Sequence, residues 1–152
     1  CQNDIPNGWG FVIVGNTKMF KPEQLREIEQ LNRTKKTIQL TGWLSDEQLA
    51  EYFRQAKALV FPSLSEGFGI PVLEAYFYKI PLLLSNQASL PEVAGDAAIY
   101  FNPYDIENIA NTLVQFVKTN DYSELITKQI ERLSLYSWEK TSNQIQQIIQ
   151  TI

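Results

Sequence analysis

Residues 62–75 read PSLSEGFGIPVLEA, and they join a short apolar run to a segment with the periodicity of a helix. The run before them, Ala58–Phe61 (ALVF), has the composition of a buried parallel strand. Gly67 and Gly69 allow the backbone between strand and helix to bend sharply and to approach a ligand closely. Pro71 suits the first turn of the following helix. The stretch therefore predicts a strand, a glycine-rich turn and a helix, in that order.

The turn also predicts an anion-binding site. The first backbone N–H groups of a helix have no partner within it, and the helix dipole adds roughly half a positive charge there. Here these groups belong to Phe68, Gly69 and Ile70. Glu66 precedes them and Glu74 follows about one turn into the helix, so one carboxylate can reach a ligand held at the turn and the other can reach past it. Taken without the surrounding string, the two glutamates are better explained as solvated side chains.

On both sides of this stretch, short apolar runs alternate with segments of helical periodicity, which predicts an α/β fold with a doubly wound parallel sheet and a helical C-terminal tail. In such sheets, ligands bind beyond the carboxyl ends of the strands. Ser45 with Gln48, and Ser89 with Glu92, have the spacing of capping boxes. The predicted strands are Phe11–Gly15, Thr37–Thr41, Ala58–Phe61, Pro81–Leu84 and Ala97–Phe101. Helices are predicted over 22–31, 45–56, 70–78, 105–118, 121–135 and 137–152, with a short one after Ser89.

The composition limits the function classes. The 152 residues are enough for one domain, and the net charge of −4 argues against a nucleic-acid partner. The chain has no histidine, which excludes histidine bases and histidine-ligated metal sites. Its one cysteine, Cys1, allows no internal disulfide and fits a reducing compartment such as the cytoplasm. No apolar run reaches the roughly 20 residues of a membrane span, and no signal peptide opens the chain.

Taken whole, the string from Pro62 to Ala75 resembles the E-x7-E signature of retaining glycosyltransferases of the group 1 type (glycosyltransferase family 4), which have the GT-B fold with two Rossmann-like domains. The resemblance covers almost the whole chain, at positions in the order the family has them. These further positions are Phe11–Gly15, Gly42–Asp46, Leu49, Tyr52, Ala56, Pro81–Ser85, Leu90–Val93, Gly95–Ala98, Pro103 and Ser137-Trp138.

The resemblance implies a role for each candidate site residue. Glu66 is the implied catalytic residue and lies against the donor sugar, whereas Glu74 bonds the ribose of the nucleotide. The implied donor-binding positions are the backbone of Gly67, Phe68, Gly69 and Ile70 for the sugar and the diphosphate, Leu44 and Asp46 for the base pocket, and Gly15 for the approach of the first loop. The implied reaction transfers a sugar from a nucleoside-diphosphate sugar with retention of configuration, and it requires no metal and no cofactor.

Several of these positions have simpler explanations. We expect Trp43 to be a packing residue rather than a stacking platform for the base. Asp46 is also explained by the dipole of its helix, and Gly15 by its turn. Lys18 is expected to be solvated rather than to meet a phosphate, and Ser89 is expected to serve as a helix N-cap.

The resemblance also predicts what the chain lacks. The family's diphosphate-binding Arg and Lys belong to an element that would precede Phe11, and its acceptor site to an N-terminal domain. We therefore expect residues 1–152 to form a single nucleotide-sugar-binding domain without its first strand, which binds the donor weakly and transfers nothing alone. The open sheet edge is expected to associate with a second copy or with a partner that covers it. Peripheral membrane attachment, if any, would come through the missing domain.

Two other function classes stay open at this stage. A non-catalytic nucleotide-sugar-binding or protein-interaction module with the same fold would retain the sheet, although the presence of both Glu66 and Glu74 favours the enzyme. A dinucleotide-binding domain is disfavoured, because no G-x-G-x-x-G follows the run Phe11–Gly15. The sequence selects neither the base and sugar of the donor nor the acceptor.

Overall fold

The computed structural model describes residues 8–35, 37–119 and 121–151. Cys1, on which the reducing-compartment interpretation depends, and Ile152, the last residue of the predicted C-terminal helix, lie outside these residues. The chain divides into two compact units, Cys1–Gln55 and Ala56–Ile152, and each is described by itself.

The first unit is a two-stranded parallel sheet with helices. Strands β1 and β2 pair from Phe11 opposite Ile38 to Val14 opposite Gly42, with an irregularity in register after Ile13. The side chain of Asn32 bonds both the N–H and the carbonyl of Ile38, at 2.9 and 2.7 Å, and so ties helix α1 to β2. The elements are β1 (Phe11–Val14), a 3-10 helix (Thr17–Met19), α1 (Pro22–Lys35), β2 (Ile38–Gly42) and α2 (Asp46–Gln55).

The capping box predicted at Ser45 is confirmed. The Gln48 N–H donates to the Ser45 hydroxyl at 3.3 Å, and the Ser45 N–H donates to the Gln48 side-chain oxygen at 2.9 Å. These reciprocal bonds satisfy two backbone donors at the start of α2. The Ser45 hydroxyl also donates to Glu47, and this hydrogen bond lowers the pKa of the Glu47 carboxyl.

The second unit is a three-stranded parallel sheet in the order β3-β4-β5, flanked by helices. All four residues of the central strand, Leu82–Ser85, are buried, as the apolar run at this position predicts. The elements are β3 (Leu59–Phe61), α3 (Ile70–Phe77), β4 (Leu82–Ser85), α4 (Leu90–Ala94), β5 (Ile99–Phe101), α5 (Ile106–Lys118), α6 (Ser123–Leu133) and α7 (Trp138–Gln150). Parallel strands with flanking helices confirm the predicted α/β class; that the chain is a single domain stays a prediction.

The short helix α4 ends against α6. The guanidinium of Arg132 donates to the carbonyls of Glu92 and Val93, the latter at 3.0 Å, and the Tyr136 hydroxyl also donates to Val93, at 3.2 Å. The last carbonyls of a helix lack partners within it, so these bonds supply donors that the backbone cannot. Arg132 therefore fixes the C-terminal end of α4 to α6.

Two further tyrosines reach the same end of α4 from the core. The buried Tyr76 hydroxyl donates to the Ala94 carbonyl at 3.1 Å, and the Tyr100 hydroxyl donates to the Gly95 carbonyl at 2.5 Å. Burial raises the pKa of both phenols, so both remain protonated donors throughout the neutral range. The position of α4 is therefore set by polar contacts from α3, α6 and β5.

We expect Arg132→Met to lower the free energy of unfolding by about 1–3 kcal/mol, because it leaves two carbonyls at the end of α4 without their charged donor. Urea unfolding of the chain measures this change. Arg54→Met is the control, since it removes an arginine whose ion pair with Glu51 is more than half exposed on both sides and contributes little. Equal losses in the two variants would contradict the capping role of Arg132.

Lys79 follows the end of α3 in the left-handed region, with φ 55°, and its side chain is exposed. Glycine is preferred at this position after a helix, because it has no Cβ to clash. Lys79→Gly should therefore raise the free energy of unfolding by about 0.5–1 kcal/mol in urea unfolding. Lys57→Gly, at an exposed position outside that region, is expected to give no gain. A stability gain of the same size at Lys57 would contradict this explanation.

Candidate functional site

The predicted loop lies at the carboxyl edge of the second sheet. It begins after Phe61, where β3 ends, and Gly69 leads into α3. At the same edge, the Asn86 N–H beyond β4 donates to the carbonyl of Phe101, the last residue of β5, at 3.0 Å. Loops at this edge are where parallel α/β sheets bind ligands. The structure therefore places residues 62–69 at the position that the fold favours for a site.

Glu66 is half-buried and its carboxylate is oriented by a neighbour. The Ser63 hydroxyl donates to Glu66 Oε1 at 2.8 Å. One carboxylate oxygen is thereby fixed, because the two residues belong to the same short loop. The sequence analysis gave Ser63 no role, although its spacing of three residues before a glutamate is the signal that would have found it.

The two glycines of the loop differ in what they do. Gly69 is buried and has φ 99°, and a Cβ placed on it would lie 2.7 Å from Leu90 Cδ2. Gly67 is exposed, lies outside the left-handed region, and its Cβ would meet nothing within 4 Å. The backbone bends at Gly67 as predicted, but only Gly69 takes a conformation that favours glycine. Nothing in the fold around Gly67 excludes a side chain.

The start of α3 presents free donors. Within the described part of the chain, no hydrogen bond engages the backbone N–H groups of Phe68, Gly69 and Ile70. The first turn of α3 contains no acidic residue, and its N-cap position, Gly69, has no side chain to accept from these groups. The side chains of Phe68 and Ile70 are 38% and 49% exposed. The geometry predicted for an anion site is thus present, and no acidic side chain in that turn neutralises it.

Glu74 lies within α3 and is half-buried. It is one helical turn beyond Ile70, on the same short helix that begins at the glycine loop. Glu66, Glu74 and the backbone of 67–70 therefore belong to one continuous loop and helix. The contact of Glu74 with a ribose stays a prediction.

Ser89 does not act as the predicted N-cap. Its φ and ψ of −74° and −13° are helical, whereas a capping residue needs an extended backbone, and its hydroxyl makes no bond to the start of α4. The hydroxyl instead contacts two loop carbonyls, that of Glu66 at 3.0 Å and that of Phe68 at 3.3 Å. The capping box predicted for Ser89 and Glu92 is wrong because the serine bonds the loop instead.

The other predicted donor-binding positions, Gly15, Leu44 and Asp46, belong to the first unit. Gly15 has φ 137°, and its N–H donates to the carbonyl of Gly42 at 3.1 Å, which joins the loop after β1 to the last residue of β2. Leu44 is half-buried in the second of these loops, and the exposed Asp46 is the first residue of α2. Their part in a base pocket stays a prediction, as does the alternative for Asp46, interaction with its helix dipole.

Trp43 is 86% exposed, so the expectation that it packs within the fold is wrong. It follows Gly42, which takes the left-handed conformation at the end of β2, so the indole is carried on a turn rather than on the strand. Trp138 is likewise 83% exposed, at the start of α7. Lys18 is exposed, as expected.

Among residues 8–35, 37–119 and 121–151, no three His, Cys, Asp or Glu side chains are close enough together to hold a metal ion. In the same residues, no helix has both the length and the hydropathy to cross a membrane.

The family profile described as Glycosyl transferases group 1 matches residues 3–132. The chain is 30% identical over 134 residues to the O-antigen chain mannosyltransferase B of Escherichia coli, which covers 88% of this chain and 35% of that protein. It is 35% identical over 128 residues to the serotype-specific mannosyltransferase WbdA of Escherichia coli, an alignment that covers 81% of this chain and 16% of that protein. The chain thus spans about a third or less of the length of these relatives.

Solved structures show the same fold. Alr3699/HepE of Anabaena, crystallised in complex with UDP, superposes with a TM-score of 0.76 at 15% identity, covering 99% of this chain and 43% of that one. Sucrose-phosphate synthase of Thermosynechococcus elongatus gives a TM-score of 0.67 at 23% identity, with 92% and 37% covered. The fold is therefore the Rossmann-like α/β arrangement of GT-B glycosyltransferases. With the family profile extending over most of its length, the chain belongs to the group 1 glycosyl transferases.

Proposed function

We propose that this chain is the donor-binding part of a retaining glycosyltransferase that takes its sugar from a nucleoside diphosphate. The observation that carries the proposal is the pairing of a fixed carboxylate with free backbone donors in one loop. Ser63 holds the Glu66 carboxylate at 2.8 Å, and the N–H groups that begin α3 are unengaged within the described part of the chain. A sugar diphosphate has hydroxyl groups that can donate to the Glu66 carboxylate. It also has negatively charged phosphates that can accept from the backbone N–H groups.

The chemistry of the transfer fits these groups. The barrier lies in the departure of a diphosphate from a sugar carbon that acquires oxocarbenium character. Backbone N–H groups at a helix N-terminus stabilise the charge that develops on the leaving phosphate, without reorganising during the reaction. In this proposal Glu66 orients the sugar, Gly67 lets it approach the backbone, and Glu74 binds the ribose. Gly15, Leu44 and Asp46 line the base pocket, and no metal or cofactor takes part.

The relatives support a sugar-transfer function and leave the donor open. The two Escherichia coli proteins are named mannosyltransferases, and the Anabaena structure contains UDP. The acceptor, and the part of the protein that holds it, belong in this proposal to the larger part of the relatives' length, which the chain does not match.

Glu66→Gln should lower kcat for sugar transfer by the complete protein about 10²–10³-fold, the usual cost of removing one preorganised electrostatic contact at a reacting centre. The free energy of unfolding should change by less than about 0.5 kcal/mol. Transfer from the radiolabelled nucleotide sugar and urea unfolding measure the two effects.

Glu92→Gln is the matched control for this variant, because Glu92 is exposed on the nearby helix α4. It should leave kcat unchanged. Parallel losses of kcat and stability in Glu66→Gln would make that glutamate structural. A complete protein that binds the donor but transfers no sugar would favour the non-catalytic binding module.

Alanine at the two glycines should separate ligand binding from folding. Gly69→Ala should lower the free energy of unfolding by about 1–3 kcal/mol, because it places a Cβ in a left-handed backbone against Leu90. Gly67→Ala should change stability by less than about 0.5 kcal/mol, since its Cβ meets nothing, yet weaken the binding of a nucleotide sugar by tenfold or more.

Urea unfolding and isothermal titration calorimetry with UDP-, GDP- and ADP-sugars measure these changes. Unchanged affinity in Gly67→Ala for the sugar that binds best would refute the close approach of that ligand to the loop. Full stability in Gly69→Ala would refute the fold constraint at that position.

A further inference from the structure

The glycine loop, residues 66–69, is hydrogen-bonded by Ser89, the residue before α4. The Ser89 hydroxyl is 3.0 Å from the Glu66 carbonyl and 3.3 Å from the Phe68 carbonyl, so two alternate peptide units of the loop face the same donor. A hydroxyl has one proton, and it is shared between these two acceptors. Ser89 is 23 residues beyond Glu66, so the contact links two separate connections of the sheet.

Two apolar contacts support the same arrangement. The fully buried side chain of Leu90 fills the space beside Gly69 that a Cβ would need. The Phe68 ring packs edge-on against Tyr136, with ring centroids 5.5 Å apart and an interplanar angle of 84°. Tyr136 in turn donates to the Val93 carbonyl of α4. The loop therefore contacts a platform made of α4 and the segment after α6.

The backbone that carries Ser89 is itself strained. Ala88 has φ 52°, in the left-handed region that is unfavourable for a residue with a Cβ. The Gln87 N–H donates to the Ser85 hydroxyl at 3.3 Å, which holds the start of this connection to the end of β4. The unfavourable backbone conformation of Ala88 therefore lies immediately before Ser89, whose hydroxyl bonds the loop.

The planarity of the peptide bond connects these carbonyls to the free donors. In a trans peptide, the C=O of one residue and the N–H of the next point in opposite directions. A Glu66 carbonyl directed at Ser89 therefore turns the Gly67 N–H away from Ser89, and the Phe68 carbonyl does the same for the Gly69 N–H. One hydroxyl thus sets the direction of two backbone donors.

We propose that Ser89 is a positioning residue for donor binding, which acts by orienting the peptide units that present the N–H groups of Gly67 and Gly69 to the sugar diphosphate. This inference rests on the proposed function and deepens it. Ser89 does not touch the donor; it makes the loop ready to bind before the ligand arrives. Binding to a preorganised loop loses less affinity to the ordering of flexible groups.

The test compares Ser89→Ala with Ser89→Thr in the complete protein. Calorimetric titration with UDP, GDP and ADP is combined with two-dimensional NMR of the Gly67 and Gly69 amides. For the nucleotide that binds best, Ser89→Ala should raise Kd about tenfold, the factor expected for one lost hydrogen bond. It should also shift both glycine amide resonances in the unliganded protein, whereas Ser89→Thr, which keeps the hydroxyl, should restore Kd and both resonances.

Ser134→Ala is the matched control, because that serine also donates to a backbone carbonyl, that of Glu131 at 2.6 Å, but outside the loop. It should leave Kd and the glycine resonances unchanged. If Ser89→Ala does not fold, Ser89→Cys replaces it, since a thiol of similar shape is only a weak donor.

Wild-type affinity in the folded Ser89 variant, or failure of threonine to restore Kd, would overturn the positioning role while leaving the donor site intact. Absence of binding by the wild-type protein to all three nucleotides would remove the proposed function, and this inference with it.

Discussion

Helix α4 sets the shape of the loop that begins α3. Three constraints on residues 66–69 come from this five-residue helix, from the residue before it or from a side chain bonded to it: the Leu90 methyl, the Ser89 hydroxyl and the Tyr136 ring. A helix this short is not stable by itself, because nucleation outweighs the few hydrogen bonds it forms. Its position depends on donors from elsewhere, above all the guanidinium of Arg132. The loop is therefore as well defined as the contacts that hold α4.

The candidate site therefore depends on residues from several elements of the second unit. The strands bring the loops to one edge, the core tyrosines and Arg132 satisfy the carbonyls at the end of α4, and α4 then orients the loop. The backbone donors of α3 need no charged side chain beside them, because the helix dipole supplies the positive potential. The proposed anion site therefore does not require an excess of basic residues, in a chain whose net charge is −4.

The sequence predicted well whatever depends on neighbouring residues. The apolar run ending in Leu84 predicted a strand, and Ser45 with Gln48 predicted a helix start, because both signals lie within a few positions. Ser89 has the same spacing to Glu92 but bonds a loop 23 residues away, which no local pattern reveals. The expectation that Trp43 packs within the fold was wrong for a related reason. The composition of an indole favours burial, whereas the turn after Gly42 leaves this side chain exposed. The loop itself was predicted from the sequence. The different backbone conformation and packing of its two glycines are seen only in the structure.

The difference between the two glycines of this loop has an evolutionary consequence. Gly69 combines a left-handed backbone with a Cβ position only 2.7 Å from Leu90 Cδ2, so any other residue is strained there, whatever space Leu90 leaves. A Cβ added at Gly67 has no described residue within 4 Å. Two glycines separated by one residue are thus subject to different selection. The fold therefore selects for glycine at position 69, whereas at position 67 the fold leaves the choice of residue open.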